Sequence, residues 1–135
     1  MPKATRAVQD AARRIVRQRD GDTCQMCGID LVGKVRSVHH RLNKGRGGSA
    51  LLERASILIT VCGDGVFGDH GRVTRNPKWA ESIRWQLPRN NPDIDPTQEP
   101  ILLFDGWFLL DDEGNRTPCA APITGRHPYI GEASG

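Results

Sequence analysis

Three cysteines in the sequence have the spacing and the setting of a metal site. Cys24 and Cys27 form a CxxC pair that follows a predicted helix and the turn "DGDT", and Cys62 ends the apolar stretch "ILITVC". Two thiolates at the CxxC spacing reach one zinc ion from a tight turn. The redox motif of the same spacing accompanies a βαβ unit, which is not predicted here. We therefore predict a structural zinc ion at these cysteines; the alternative is three buried thiols that pack as small apolar side chains.

A tetrahedral structural zinc site needs a fourth ligand. Asp69 follows Cys62 across the glycine-rich stretch "GDGVFGDHG", which could fold back on the cysteines, whereas Cys119 lies far away in weakly patterned sequence. A carboxylate can bind zinc, so Asp69 is the predicted fourth ligand. Its alternative role is to cap a helix that begins near His70.

Two adjacent histidines, His39 and His40, stand in the basic stretch "RSVHHRLNKGRGG". Residues 34–40 are predicted to form a short strand, in which neighbouring side chains point to opposite faces. The two imidazoles are therefore expected to have different roles. The alternative is that both contact phosphate from a basic loop.

Positive charge is concentrated in the first part of the chain. Residues 1–75 carry a net charge of +7 and residues 76–135 a net charge of −4, which together give the +3 of the whole chain. Such a concentration indicates a polyanionic partner, nucleic acid first, and its alternative is a solvated surface. Because no aromatic residues are interleaved as a stacking platform for single strands, duplex DNA is the expected substrate. The residues expected to contact DNA are Arg13, Arg14, Arg17, Arg41, Lys44 and Arg46.

The elements that position these residues mix helices and strands, which predicts an α+β fold. The first predicted helix has an apolar face of alanine, valine and isoleucine, and "ILLF-DG-WFLL" predicts a hairpin with a turn at Asp105-Gly106. The predicted helices cover 5–19, a short segment from residue 72 and 78–86, and the predicted strands cover 34–40, 57–62 and the hairpin 101–110.

The order of these features resembles that of the HNH endonucleases, whose active site is a ββα-metal finger. The likeness is nearest to the small HNH proteins of bacteriophages and prophages, and it spans roughly residues 10–114. The matching stretches are "RRIVRQRDGDTCQMCG", "VHHRLNKGRGG", "ILITVCGDGVFGDHGRV" and "LLFDGWFLLDDEGN". The resemblance implies an HNH zinc-knuckle domain over residues 1–87, a β-hairpin extension over 88–116 packed on it, and a flexible tail over 117–135.

The resemblance also implies roles for individual residues. His39 corresponds to a ligand of the catalytic metal, His40 to the general base, and His70 to a second metal ligand. Some relatives carry a further ligand after the last histidine. Thr74 and Asn76 are the candidates for it here, and Asn76 is the better oxygen donor. The implied catalytic ion is magnesium or manganese, with zinc or nickel as further options.

Two positions depart from the family pattern. Ile57 stands where the family usually has an asparagine that braces the finger, and Asp69 stands where it usually has the fourth zinc cysteine. The change at Ile57 is expected to affect the catalytic rate, and the change at Asp69 is expected to affect the affinity for zinc.

The expected function is therefore that of a metal-dependent DNA endonuclease which hydrolyses phosphodiester bonds and acts as a nickase when a single copy binds. The alternatives are a zinc-stabilised DNA-binding protein with little or no activity, and an adaptor in viral DNA packaging or replication. The sequence has no apolar run of membrane-spanning length. Since its start lacks an apolar signal region, the expected location is the cytoplasm, and the resemblance implies that of a bacterial host cell.

Overall fold

A computed structural model describes residues 6–42, 53–88 and 94–122. Within these ranges the protein is α+β, as predicted, with three α-helices and two antiparallel sheets. None of the described helices is both long and apolar enough to cross a membrane. The elements are α1 (Arg6–Asp20), β1 (Arg36–His40), β2 (Leu58–Cys62), α2 (Gly68–Arg75), α3 (Pro77–Ser82), a 3₁₀ turn (Pro96–Gln98), β3 (Ile101–Leu103), β4 (Gly106–Leu110) and β5 (Arg116–Pro118).

The first sheet is the antiparallel pair β1–β2, and both of its faces are covered. Arg36 pairs with Cys62 at one end and His40 pairs with Leu58 at the other. Because side chains alternate along a strand, Leu58 faces the buried side of α1, while Ile59 faces the main core. The apolar face predicted for α1 is confirmed in the second half of the helix, whereas Val8 in the first half is 39% exposed. The successive side chains of β1 have different surroundings.

The main core joins the first sheet to the rest of the molecule through Trp85. This side chain is fully buried and donates its indole N–H to the backbone oxygen of Leu102 at 2.7 Å. It packs with side chains of β2, α2, α3 and the second sheet. The residues next to β1 on this side are therefore held by a dense apolar environment.

A buried ion pair ties the end of α1 to β2. Arg19 lies 2.7 Å from Asp20, and its two terminal nitrogens donate to the backbone oxygens of Ala55 and Leu58, each at 2.6 Å. Asp20 in turn accepts the backbone N–H of Thr60 at 3.0 Å. Helix and strand are fixed to each other by charged groups whose hydrogen-bonding capacity is used inside the protein.

The segment before β2 is braced by Asp112, which lies in the turn between β4 and β5. Its Oδ1 accepts the backbone N–H of Ser56 at 3.1 Å and the Ser56 hydroxyl at 2.5 Å, and its Oδ2 accepts from Arg54 at 2.7 Å. The neighbouring Ile57 is fully buried. The polar bracing of this segment therefore comes from residues beside Ile57 and not from Ile57 itself.

The second sheet extends further than the sequence predicted. The hairpin forms as expected, with Leu103 opposite Gly106, but Arg116–Pro118 adds a third strand to β4. The tail predicted to start at residue 117 is therefore wrong in its first residues, because the free edge of β4 offers backbone partners that local sequence does not reveal. Pro118 is compatible with this edge position, where its missing N–H is not needed. Residues 123–135 of that predicted tail lie outside the described ranges.

Candidate metal centres

The chain turns tightly around the CxxC pair. The backbone N–H of Cys24 donates to Ile29 at 3.0 Å, and that of Gly28 donates to Cys24 at 2.8 Å. Gly28 has a φ of 80°, a left-handed conformation that glycine adopts without strain. The loop thereby brings the sulfur atoms of Cys24 and Cys27 to the same side.

Four predicted ligands meet at this loop. One ligand atom each from Cys24, Cys27, Cys62 and Asp69 lies within 4.8 Å of all the others. Tetrahedral coordination with bonds of ~2.3 Å would place ligand atoms ~3.8 Å apart, so a small contraction completes the geometry. These four residues are close enough to bind one metal ion, and three thiolates with one carboxylate suit zinc.

Backbone N–H groups point at the sulfur atoms of this cluster. The N–H of Cys62 lies 3.3 Å from the sulfur of Cys24, and the N–H of Asp69 lies 3.4 Å from the sulfur of Cys62. Burial, followed by a hydrogen bond with Asp69, raises the pKa of the Cys27 thiol to about 12. A metal ion that binds this thiol must therefore displace its proton.

Asp69 does not take its alternative role as a helix cap. The helix α2 begins at Gly68, and its N-cap residue is Phe67, which makes no side-chain cap bond. The Asp69 carboxylate instead lies 3.5 Å from the sulfur of Cys24. Its position in the first turn of α2 puts a potential ligand directly before His70.

Among the residues that the structure describes, the hydrogen bonding of His39 leaves one ring nitrogen available. Its Nε2 lies 2.6 Å from the backbone oxygen of Trp85, and because a carbonyl only accepts, we assign the proton to Nε2 and the lone pair to Nδ1. Burial lowers the pKa of His39 to about 4, so the ring is neutral at pH 7. A neutral histidine that donates to a carbonyl has the usual arrangement of a metal ligand.

His70 is oriented in the same manner from α2. Its Nδ1 lies 2.6 Å from the hydroxyl of Ser37, and that hydroxyl donates to the backbone oxygen of Gly63 at 2.8 Å. Since the hydroxyl proton is used, we assign the Nδ1 proton to His70 and leave the lone pair on Nε2. Burial lowers the pKa of His70, against an opposing effect of Asp64.

The rings of His39 and His70 lie close together in space. Their centres are 5.5 Å apart and their planes are at 86°. Two imidazoles that bind one ion at ~2.1 Å, with an angle of ~90–110° at the ion, would have centres ~4.5–5.3 Å apart. The observed spacing is therefore slightly wider than that of a shared ion.

His40 has different surroundings from its neighbour. Its Nε2 lies 3.5 Å from a carboxylate oxygen of Glu53, and the two side chains are 10% and 3% exposed. No sequence pattern points to Glu53, because this residue stands apart from every motif. A buried carboxylate beside an imidazole can fix the orientation of the ring and stabilise its protonated form.

The prediction that Arg41 contacts DNA is wrong. The side chain is fully buried, and burial lowers its pKa to about 9. The guanidinium group donates to five backbone carbonyl oxygens, those of Ser56, Arg84, Pro96, Glu99 and Pro100. Arg41 therefore joins distant loops inside the protein, a role that a basic sequence stretch does not reveal.

Only some of the other residues predicted to contact DNA belong to the part of the chain that the structure describes. Arg14 and Arg17 are exposed on α1 and Arg13 is half-buried there, so their contact with DNA stays a prediction. Lys44 and Arg46 lie outside the described residues.

The geometry gives Asn76 a structural role. Its side-chain NH₂ donates to the backbone oxygen of Arg72 at 2.8 Å, at the end of α2. Asn76 follows His70 by one and two-thirds helical turns, or ~9 Å along the axis, and so points to another side of the helix. This arrangement argues against the predicted third ligand at Asn76.

Comparison with known proteins does not assign the chain to a family. No family model, no curated protein and no solved structure matches it. The resemblance to HNH endonucleases therefore depends on the quoted motifs and their order. The structure itself supplies the cysteine–aspartate cluster, the His39–His70 pair and their immediate contacts.

Proposed function

We propose that this protein is a metal-dependent DNA endonuclease of the HNH type, stabilised by a structural zinc ion. The observation that carries the proposal is the His39–His70 pair, with ring centres 5.5 Å apart. One nitrogen of each ring is hydrogen-bonded to the protein, which leaves the other for a ligand. The zinc ligands would be Cys24, Cys27, Cys62 and Asp69.

In this proposal His39 and His70 hold one divalent ion, with magnesium, manganese, zinc and nickel as the options. When bound, that ion stabilises the negative charge that builds up on the phosphate and on the departing 3′-oxygen. His40 accepts a proton from the attacking water, a task for which histidine is suited near neutral pH. A positioned base of this kind contributes ~10²–10⁴-fold to the rate.

Arginines of α1 would hold the DNA backbone. Phosphate contacts of this kind carry little sequence information, so binding would be sensitive to salt and weakly selective for sequence. A single copy carries one such centre and would cut one strand at a time. Viral DNA packaging or replication in a bacterial cytoplasm is the setting that the resemblance suggests.

A second function is favoured by the burial of the histidines. His39 is only 7% exposed and His40 is close to Glu53, so both could be structural groups of a zinc-stabilised DNA-binding protein or adaptor without catalysis. Ile57, in place of the usual asparagine, fits this alternative. The two functions differ in one outcome, which is whether bound DNA is cut.

The test is a nicking assay on supercoiled plasmid with each of the four divalent ions. We expect wild-type protein to convert the plasmid to the open-circle form. His40→Ala should lose most activity with little loss of metal binding, and His70→Ala should lose both. His127→Ala is the matched control, because it removes a histidine to which no role is assigned. DNA retardation without nicks at any ion would favour the non-catalytic alternative, and full activity in His40→Ala would remove the assigned base.

A further inference from the structure

A cleft of about 250 Å³ lies between α1 and β1. Three arginines line it: Arg13 and Arg17, one helical turn apart on α1, and Arg36 at the start of β1. The other residues that line it are Val16, Gly21, Ser37, Val38 and Thr60. A water molecule takes ~30 Å³ in the liquid, so the cleft has room for a small anion with several waters.

The charges of this cleft are mostly uncompensated. Arg36 lies 2.9 Å from Asp22, whose side chain is 59% exposed. Within the part of the chain that the structure describes, neither Arg13 nor Arg17 has a carboxylate within 4.0 Å, the limit for an ion pair. Three guanidinium groups therefore share one cleft with a single, solvated carboxylate.

Fold stability explains only part of this arrangement. Arg17 is in the last turn of α1, where a positive charge interacts favourably with the helix dipole. Arg13 lies one turn earlier, beyond the range of that effect, and Arg36 belongs to a strand. Like charges around one cavity repel each other, so an anion between them would relieve the repulsion.

We propose that this cleft seats one phosphate of the DNA backbone, other than the phosphate that is cut. The inference rests on the proposed function, because it takes DNA as the substrate. Guanidinium groups present forked N–H donors that match phosphate oxygens. Ser37 lines the cleft and its hydroxyl contacts His70, so the phosphate seat and the histidine pair are connected across β1.

The sharing of one phosphate by three arginines predicts how strongly DNA affinity depends on salt concentration. Each neutralised phosphate contributes ~0.9 to the slope of log affinity against log salt. If the three arginines share one phosphate, removing all three should lower the slope by about 0.9. Three separate contacts would lower it by about 2.7. The measured quantity is the ratio of the Kd at about 200 mM salt to the Kd at about 50 mM salt. A slope lower by about 0.9 changes this ratio about 3.5-fold, and a slope lower by about 2.7 changes it about 40-fold.

The experiment measures fluorescence anisotropy of a labelled 20-base-pair duplex with protein that carries one equivalent of zinc and no other divalent ion. Denaturing electrophoresis after each titration checks that the duplex has stayed uncut. The variants are Arg13→Gln, Arg36→Gln and the triple change R13Q/R17Q/R36Q. Arg6→Gln is the matched control, because it removes an exposed arginine of α1 that does not line the cleft. Zinc content and Tm of every variant establish that each one is folded.

We expect the triple variant to change the Kd ratio about 3.5-fold, and Arg6→Gln to change it much less. A change of about 40-fold would overturn the shared seat in favour of separate surface contacts, and a change no larger than that of Arg6→Gln would show that the cleft binds no phosphate. The nicking assay separates this inference from the proposed function. Wild-type protein that never nicks while the triple variant shows the expected slope would overturn the enzyme and keep the seat. Nicking with an unchanged slope would do the reverse.

Discussion

At the scale of single residues, the hydrogen bond from His39 to the backbone oxygen of Trp85 determines which ring nitrogen can bind a ligand. The sequence could predict that His39 and His40 differ, because strand neighbours face opposite ways. It could not predict the partner of either ring, since Trp85 and Glu53 come from distant segments. Arg41 shows the same limit, because exposed and buried arginines have the same local sequence signal.

We predict that Arg41→Lys destabilises the protein by about 2–4 kcal/mol, because the three N–H donors of lysine cannot serve five carbonyl oxygens. Urea denaturation measures this loss. Arg14→Lys, at an exposed position of α1, is the control and should change stability by less than about 0.5 kcal/mol. Equal stability of Arg41→Lys and wild type would contradict the structural role of Arg41.

Asp112 gives a prediction about pH. Burial alone would raise the pKa of its carboxyl group, but hydrogen bonds from Arg54 and Ser56 outweigh that effect and hold the pKa below its usual value. The carboxylate therefore contributes stability above the unfolded-state pKa of ~3.9, and this contribution is lost as the pH falls through the lower folded-state pKa.

Asp112→Asn should accordingly lower the free energy of unfolding by about 1 kcal/mol at pH 7, a modest value because the side chain is partly exposed. The difference from wild type should shrink in urea titrations near pH 3. Glu113→Gln, the exposed neighbour, serves as the control. A difference that grows on acidification would contradict this assignment.

At the scale of elements, the sequence patterns that predict helices and strands correctly are those with local causes. The apolar face of α1, the buried run of β2 and the hairpin with its Asp-Gly turn follow from propensity and periodicity. The strand β5 does not, because Arg116–Pro118 has no apolar strand pattern of its own and is defined by its pairing with the edge of β4. The cysteine–aspartate cluster was predictable because CxxC spacing and a glycine-rich return loop restrict where the chain can go.

The cluster also links elements, since Cys62 ends β2 and Asp69 begins α2. We predict that Asp69→Ala lowers zinc affinity at least tenfold, because one of four ligands is lost, and that Asp69→Cys raises it. Competition with a zinc chelator measures both, and Asp10→Ala on the outer side of α1 is the control. Affinity should also fall as the pH falls, since zinc binding must displace protons from thiols of raised pKa. Unchanged zinc retention in Asp69→Ala would exclude it as a ligand.

At the scale of the whole molecule, the two-stranded sheet β1–β2 separates the arginine cleft from the histidine pair. The helix α1 and the arginine cleft lie on one face, and the histidine pair, Trp85 and the main core lie on the other. The cysteine–aspartate cluster holds the end of β2 to the start of α2, directly before His70. If this cluster binds zinc as proposed, loss of the ion is expected to loosen the position of His70 as well as the fold.

The central claim is that His39 and His70 bind one divalent ion between them. The most direct measurement is a titration of zinc-loaded protein with Mn²⁺, followed by electron paramagnetic resonance of the free ion. Wild-type protein and His40→Ala should each bind one Mn²⁺ with similar affinity, while His39→Ala and His70→Ala should each bind it at least tenfold more weakly. Equal binding in all four proteins, or none in the wild type, would contradict the claim.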